Sequence, residues 1–148
     1  MSEESTISNV PKWFLGVAIA ALIWNLLGVF AYLGQMYLMS NPEMLAELSV
    51  EEQNLYKNTP IWATIGFTLA VWGGAIGSLL LILKKKVAKP VLIISLAGII
   101  IQMYHSFFIS NNFEVYGPGA AVMPVMIIIF GIGLVWLSDK SVKEGWLH

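Results

Sequence analysis

Hydrophobic residues fill four long stretches of this chain that carry no charge, and the charged residues lie between them. The stretches cover residues 13–42, 61–83, 90–113 and 115–138. Each is long enough to cross a hydrocarbon core of about 30 Å as a helix that rises about 1.5 Å per residue. The pattern predicts an all-α, integral membrane four-helix bundle. A single domain over residues 1–148 would contain spans at about 12–38, 60–83, 90–110 and 119–138.

The connection between the first two spans, residues 39–59, carries its own helix signals. Asn41 precedes Pro42 as a helix cap, and Ser49 is followed three positions later by Glu52, which is the spacing of a capping box. Apolar residues are interspersed with glutamates on both sides of Ser49. The sequence therefore predicts two short amphipathic helices in the first external loop, resting on the bundle or on the lipid headgroups.

The distribution of charge predicts an orientation in the membrane. The connection "KKKVAK", Lys84–Lys89, carries four lysines, whereas the first connection carries four glutamates and one lysine. By the positive-inside rule, the lysine loop 84–89 and both termini are expected in the cytoplasm, with loop 39–59 outside. The start "MSEESTISNVP" has neither a basic region nor a small-residue cleavage pattern, so the first helix is expected to remain in the mature protein.

Composition excludes several classes of function. With 57% hydrophobic and 11% charged residues and a mean hydropathy of +0.75, the chain is too apolar for a water-soluble domain. Cysteine and arginine are absent, which argues against thiolate metal sites and nucleic-acid binding. No charged residue lies within the four uncharged stretches that form the spans, so ion-coupled transport is disfavoured. The spans hold no paired carboxylates, activated nucleophile or metal cluster, and neither an enzyme nor a cofactor is expected.

Small and polar residues recur on one face of three predicted helices, at alternating spacings of three and four. The third helix has the clearest stripe: Ser95, Gly98, Gln102, His105, Ile109 and Asn112. The first helix repeats it with Ala18, Ala21, Asn25, Gly28, Tyr32 and Gln35, and the second has a weaker version that includes Thr64, Thr68 and Ser78. Polar groups in hydrocarbon need partners, so these faces are expected to meet inside the bundle. The candidate site residues are Asn25, Tyr32, Gln35, Thr68, Gln102, His105 and Asn112.

Two interpretations of these residues remain open. They could hydrogen-bond the helices to one another, with Gln102, Asn25 or Tyr32 supplying the partner of His105. Alternatively, they could line a water-accessible cavity that opens outward, in which His105 changes charge near neutral pH. Haem or metal ligation has little support, because the only other histidine, His148, is at the opposite end of the membrane.

Glycines within the spans predict close helix packing. The candidates are Gly28, Gly73, Gly77, Gly98 and Gly131. Gly73 and Gly77 also form a GxxxG pattern, which fits either a dimer interface or packing within one bundle.

Two segments carry a resemblance to a known family: "WNLLGVFAYLGQMYL", residues 24–38, and the run from 56 to 111, with "NTPIW", the lysine loop with "AKP", and the stretch from Gln102 to Asn111. Together with Asn25, Tyr32 and Gln35, they resemble a family of small bacterial four-span inner-membrane proteins of unassigned function, often automatically labelled "sugar transporter". The resemblance implies a bacterial inner membrane and a compact four-helix bundle.

The expected function is therefore a small multi-pass inner-membrane protein that binds or passes an uncharged or weakly charged small molecule through an outward-facing polar cavity. The alternative is a membrane scaffold or accessory protein, whose polar stripe only packs the helices and whose outer helices contact a partner. The lipid bilayer is an expected partner, with a small neutral solute and a homo-oligomer or another membrane protein as further candidates. The sequence leaves open whether His105 is functional or structural.

Overall fold

The computed structural model describes residues 9–148. All regular secondary structure in this part of the chain is helical. The helices are α1 (Lys12–Ser40), α2 (Pro42–Ala46), α3 (Val50–Lys57), α4 (Ile61–Ile82), α5 (Ala88–Tyr104), α6 (Asn112–Tyr116) and α7 (Val122–Lys143). A π-helical turn (His105–Ile109) continues α5, and a 3-10 turn (Pro118–Ala121) precedes α7.

Four helical segments are long and apolar enough to cross a membrane: α1, α4, α5 with its π-helical turn, and α7 with its 3-10 turn. The predicted all-α four-helix bundle is confirmed, and the four helices fit a multi-pass membrane protein. The fourth helix continues to Lys143, beyond the predicted limit at 138. The added residues lie past the apolar stretch and include Asp139, Lys140 and Lys143. The prediction that the first helix remains in the mature protein was drawn from residues 1–11, of which residues 1–8 lie outside the described residues.

The two short helices predicted between the first two spans are present, with the expected caps. The Asn41 side chain accepts a hydrogen bond from the Met44 amide at 3.4 Å at the start of α2. At the start of α3, the Ser49 hydroxyl accepts from the Glu52 amide and the Glu52 carboxylate accepts from the Ser49 amide, both at 3.2 Å. We call the end of the bundle that carries α2 and α3 the loop end, and the end with Lys84–Lys89 the lysine end.

The long helices pack in the order α1, α4, α5 and α7, and the closest approach joins α4 to α5. A methyl group added at Gly98 would lie 2.6 Å from the carbonyl oxygen of Gly66 and 2.7 Å from the backbone nitrogen of Ala70. The Ser95 hydroxyl donates a 2.7 Å hydrogen bond to the Ala70 carbonyl across the same interface. Glycine at position 98 therefore allows the two backbones to touch.

The other glycines predicted to pack helices also face neighbouring helices. An added methyl group would lie 2.9 Å from the nearest α5 atom at Gly73, 2.5 Å at Gly77 and 2.7 Å at Gly131, and 3.6 Å from Val71 at Gly28. The Gly73–Gly77 pair is thus directed at α5 within the bundle.

The C-terminal residues fold back and cover the lysine end. Gly145, with φ of 73°, ends α7 in a Schellman motif in which the Trp146 amide donates to the Ser141 carbonyl at 2.9 Å. The His148 amide then donates to the Lys84 carbonyl at 2.8 Å. Trp146 and Leu147 are buried in a cluster with Phe14, Ala18, Leu81, Ala88, Leu92 and Leu137. This cluster closes the bundle at the lysine end.

Candidate functional site

The seven candidate residues divide into two groups, and the first group is bonded within the α1–α4 interface. The Asn25 amide donates to the Ala21 carbonyl at 2.8 Å and to the Ser78 hydroxyl at 3.1 Å. Gly74 leaves the space for this amide, since a Cβ there would collide with the Asn25 side chain. Asn25 therefore links α1 to α4 near the middle of the bundle.

Tyr32 and Thr68 form the second link between these helices. The Thr68 hydroxyl donates to the Thr64 carbonyl at 2.8 Å, so it accepts the 2.9 Å hydrogen bond that it shares with the Tyr32 hydroxyl. The Tyr32 ring meets Phe67 edge-on, with ring centroids 5.2 Å apart. These contacts satisfy both hydroxyl groups inside the bundle.

The second group lines a cavity of about 160 Å³ at the loop end. We call this cavity the polar cavity. It contains four of the candidate residues: Gln35, Gln102, His105 and Asn112. The rest of its wall comes from α3, α4, the π-helical turn and α6, namely Leu55, Tyr56, Thr59, Ala63, Thr64, Phe67, Ser106, Ser110 and Tyr116. Among residues 9–148, no Asp, Glu, Lys or Arg lines this cavity.

Two amide side chains and one imidazole face this cavity without a hydrogen-bond partner among the described residues. Within residues 9–148, the side chains of Gln35, Gln102 and His105 make no hydrogen bond, and no fully enclosed polar side-chain atom lacks one. Their polar atoms are therefore directed at accessible space. The first of the two interpretations gave His105 a hydrogen bond to Gln102, Asn25 or Tyr32, and none of these bonds is formed. Asn25 and Tyr32 are bonded to α4 instead.

The π-helical turn places His105 at the junction of two cavities. The Ser110 amide donates to the His105 carbonyl at 2.8 Å, a bond that spans five residues and widens the helix. The His105 side chain is only 8% exposed and its ring lies edge-on to Trp62, at 5.6 Å. It lines both the polar cavity and an outer groove of about 490 Å³ beside α3, whose wall includes Glu51 and Glu114.

Asn112 reaches the polar cavity from outside the third span. Ser110 adopts an extended conformation, with ψ of 155°, which ends the helix, and Asn112 opens the separate helix α6. Its amide donates to the Ser106 hydroxyl at 2.9 Å. The stripe that was expected to run along one helix to Asn112 therefore stops at the π-helical turn, although the Asn112 side chain still lines the cavity.

Gln102 connects the polar cavity to a second, mostly apolar cavity of about 350 Å³ between the helices. That cavity also contains Asn25 and Ser95, whose polar groups are bonded to α1 and α4. The Gln102 amide is therefore the polar group at the boundary between the two spaces.

α6 packs against α3 at the rim of the polar cavity. Burial, together with the neighbouring Tyr56 and Glu52, raises the pKa of Tyr116 above its ordinary value of 10.0. Tyr116 thus remains a neutral hydrogen-bonding group at physiological pH.

Sequence reasoning missed Ser106, Tyr56 and Tyr116 among the cavity residues. Ser106 follows His105 directly in the π-helical turn, and both residues line the cavity, although the three-and-four spacing of the stripe selects only His105. The two tyrosines come from α3 and α6, whose positions depend on tertiary packing. No three His, Asp or Glu side chains within residues 9–148 are arranged to hold a metal ion.

No protein-family model matches the chain, and no similar curated protein or solved structure was found. The chemistry of the site is accordingly inferred from its own residues.

Proposed function

We propose that this multi-pass membrane protein binds a small uncharged or weakly charged molecule in the polar cavity. The observation that supports this proposal is the convergence of Gln35, Gln102 and His105 on one cavity without hydrogen bonds to the described part of the protein. Polar side chains within a membrane bundle are costly unless they are bonded. A ligand with several hydroxyl or amide groups would satisfy all three.

The size and charge of the cavity define the class of ligand. A cavity of about 150 Å³ holds a ligand of about six heavy atoms, such as benzene, and the polar cavity is of similar volume at about 160 Å³. The part of the chain that the structure describes contributes no Asp, Glu, Lys or Arg to its lining, so no formal charge there would neutralise an ion. Small amides and polyols fit these properties, and a larger polar molecule could extend into the neighbouring groove past His105.

The proposed orientation places the loop end outside the cell and the lysine end in the cytoplasm of a bacterium, in its inner membrane. All but one of the lysines support it, since Lys57 alone lies at the loop end; the others are Lys12, Lys84, Lys85, Lys86, Lys89, Lys140 and Lys143. Such an asymmetry favours the cytoplasmic side for the lysine end. In this orientation the polar cavity faces outward.

Binding is a better-supported role than open passage. The Asn25–Ser78 hydrogen bond and the buried cluster around Leu81 and Trp146 separate the polar cavity from the lysine end. Passage of a solute would require these contacts to open, whereas binding from the loop end would not.

Ligand-observed NMR on the purified protein tests the proposal, with acetamide, urea, glycerol and a monosaccharide as probes. At least one probe should bind, and Gln102→Leu, which removes the central amide, should abolish that binding. Tyr32→Phe is the matched control, since it removes a polar group that lies outside the cavity lining. Absence of binding by all probes, or equal binding by the Gln102→Leu variant, would contradict the proposal and favour the scaffold alternative, in which α2 and α3 contact a partner.

A further inference from the structure

A second binding feature lies between α1 and α7, on the side where the bundle is open. Extensive packing joins α1 to α4, α4 to α5 and α5 to α7. Between α1 and α7 is an apolar crevice of about 530 Å³, which we call the α1–α7 crevice. Its wall includes Trp13, Val17, Ala20, Gly133 and Trp136. The Trp24 and Phe130 rings, 4.8 Å apart, close it toward the loop end.

The dimensions of the crevice match one acyl chain in one leaflet. Trp13 and Trp24 lie at its two ends and are separated by about 16 Å along α1, which is roughly half of the 30 Å hydrocarbon thickness. Because a cavity of about 150 Å³ holds the six carbons of benzene, a volume of about 530 Å³ accommodates roughly twenty carbon atoms. The crevice therefore has the length and capacity for a lipid tail.

The Lys140 ammonium lies at the end of the crevice near the membrane surface. The Lys140 ammonium lies 6.0 Å from the ring centroid of Trp13 and 5.3 Å from that of Trp136, and both rings line the crevice. Within residues 9–148, Lys140 forms no ion pair, and the neighbouring Asp139 is paired with Lys89 and Lys143. Tryptophan rings at this depth lie at headgroup level. One molecule could therefore place an anionic group at Lys140 and its apolar tail in the crevice.

We propose that the α1–α7 crevice is a binding site for an anionic phospholipid of the leaflet at the lysine end. One acyl chain occupies the crevice as far as the Trp24–Phe130 pair, and the phosphate accepts hydrogen bonds from the Lys140 ammonium. Asp139 and Glu144 at the end of α7 carry two negative charges against those of Lys89, Lys140 and Lys143, so this surface keeps one surplus positive charge that complements the phosphate. The site is separate from the polar cavity, with which its lining shares no residue.

The test is native mass spectrometry of the delipidated protein in detergent, with phosphatidylglycerol and phosphatidylcholine of identical chains as the probes. Phosphatidylglycerol should bind more tightly, by about fivefold, which corresponds to the attraction of one lysine for an anionic lipid. Lys140→Gln should remove this preference. Lys85→Gln, which removes an equal charge from the exposed loop at the same end, should preserve it.

The tail contact is tested by filling the crevice. A Cβ at Gly133 would have no atom within 4 Å, and Gly133 lines the crevice, so Gly133→Leu adds side-chain volume there. This variant should weaken the binding of both lipids. Gly16→Leu, at an equally open position of α1 that does not line the crevice, should leave it unchanged.

The proposal would be overturned by equal binding of the two lipids by the unaltered chain, or by the same loss of preference in Lys85→Gln as in Lys140→Gln. It would also be overturned by the same effect of Gly16→Leu as of Gly133→Leu, or by displacement of phosphatidylglycerol by glycerol phosphate, which has no acyl chain. A dimer that Gly133→Leu dissociates would assign the crevice to a second copy of the chain instead.

Discussion

The two ends of the bundle are built differently. At the lysine end, the C-terminal residues Trp146 and Leu147 fill the space between the helices, and backbone hydrogen bonds tie His148 to the lysine loop. At the loop end, the third span ends in a π-helical turn, and a polar cavity remains among the surrounding helices. Residues at the lysine end therefore hold the bundle together, whereas residues that line the cavity at the loop end are free to contact a ligand.

The polar residues follow the same division. Asn25, Tyr32 and Thr68 are bonded across the α1–α4 interface, whereas Gln35, Gln102 and His105 face the cavity. Similar residue types at a similar helical spacing therefore have different environments. What distinguishes them is the presence of a partner on the neighbouring helix.

The largest expected effect is at the closed end. Leu147 is 1% exposed, and Leu147→Ala should lower the free energy of unfolding by about 2–5 kcal/mol through lost contacts and a residual cavity. Leu79→Ala, at a 45% exposed position of α4, is the matched control and should cost much less. Thermal unfolding in detergent measures both variants. Equal destabilisation would show that the C-terminal residues do not close the bundle.

The α4–α5 contact should be the next most sensitive. Gly98→Ala adds a methyl group 2.6 Å from the Gly66 carbonyl oxygen, and this overpacking should destabilise the bundle by about 1–3 kcal/mol. Gly133→Ala, where no atom lies within 4 Å, should be neutral or slightly stabilising. If Gly98→Ala unfolds at the same temperature as Gly133→Ala, the two helices are not in direct backbone contact.

The polar residues of the two groups should respond differently to loss of their polar atoms. Tyr32→Phe removes the hydrogen bond to Thr68 and should cost about 0.6 kcal/mol, the average for such bonds in membrane bundles. Gln102→Leu removes no protein hydrogen bond and should cost less. A double-mutant cycle of Tyr32→Phe with Thr68→Val isolates the first bond. A larger loss of stability for Gln102→Leu than for Tyr32→Phe would contradict the division.

The smallest expected effect concerns pH at the rim of the cavity. Since the pKa of Tyr116 is raised by burial and by the nearby Tyr56 and Glu52, the folded state binds the phenol proton more tightly than the unfolded state. The corresponding stability is present below pH 10 and declines as the pH rises above this value. The ultraviolet difference between the unaltered chain and Tyr116→Phe reports the titration of this one residue. A midpoint at or below pH 10 would contradict the contact between α6 and α3.

Much of the fold could be predicted because its determinants are local. The length of the uncharged hydrophobic stretches predicts the spans. The Ser49–Glu52 spacing predicts a helix start, which the structure confirms. The burial of Trp146 and Leu147 could not be predicted from the sequence. These two apolar residues follow the last span, and they fill a space between three helices that are distant in sequence.

The candidate site could be predicted only as a set of positions. The helical period places Asn25 and Gln102 on inward faces, but it contains no information on whether a neighbouring helix offers a partner such as Ser78. Ser106, within the π-helical turn, also lines the cavity, although its position directly after His105 is off the three-and-four spacing of the stripe.

Thiol labelling tests most directly the claim that the bundle is open at the loop end and closed at the other. The chain has no cysteine, so single variants report single positions. Ser106→Cys places a thiol in the polar cavity, whereas Ser78→Cys and Ser138→Cys are isosteric changes at positions with no exposure. In proteoliposomes of known orientation, a membrane-impermeant maleimide should label Ser106→Cys only from the side of the loop end and should leave the other two variants unlabelled. Labelling of Ser106→Cys from the lysine end, or of Ser138→Cys at a similar rate, would contradict the account.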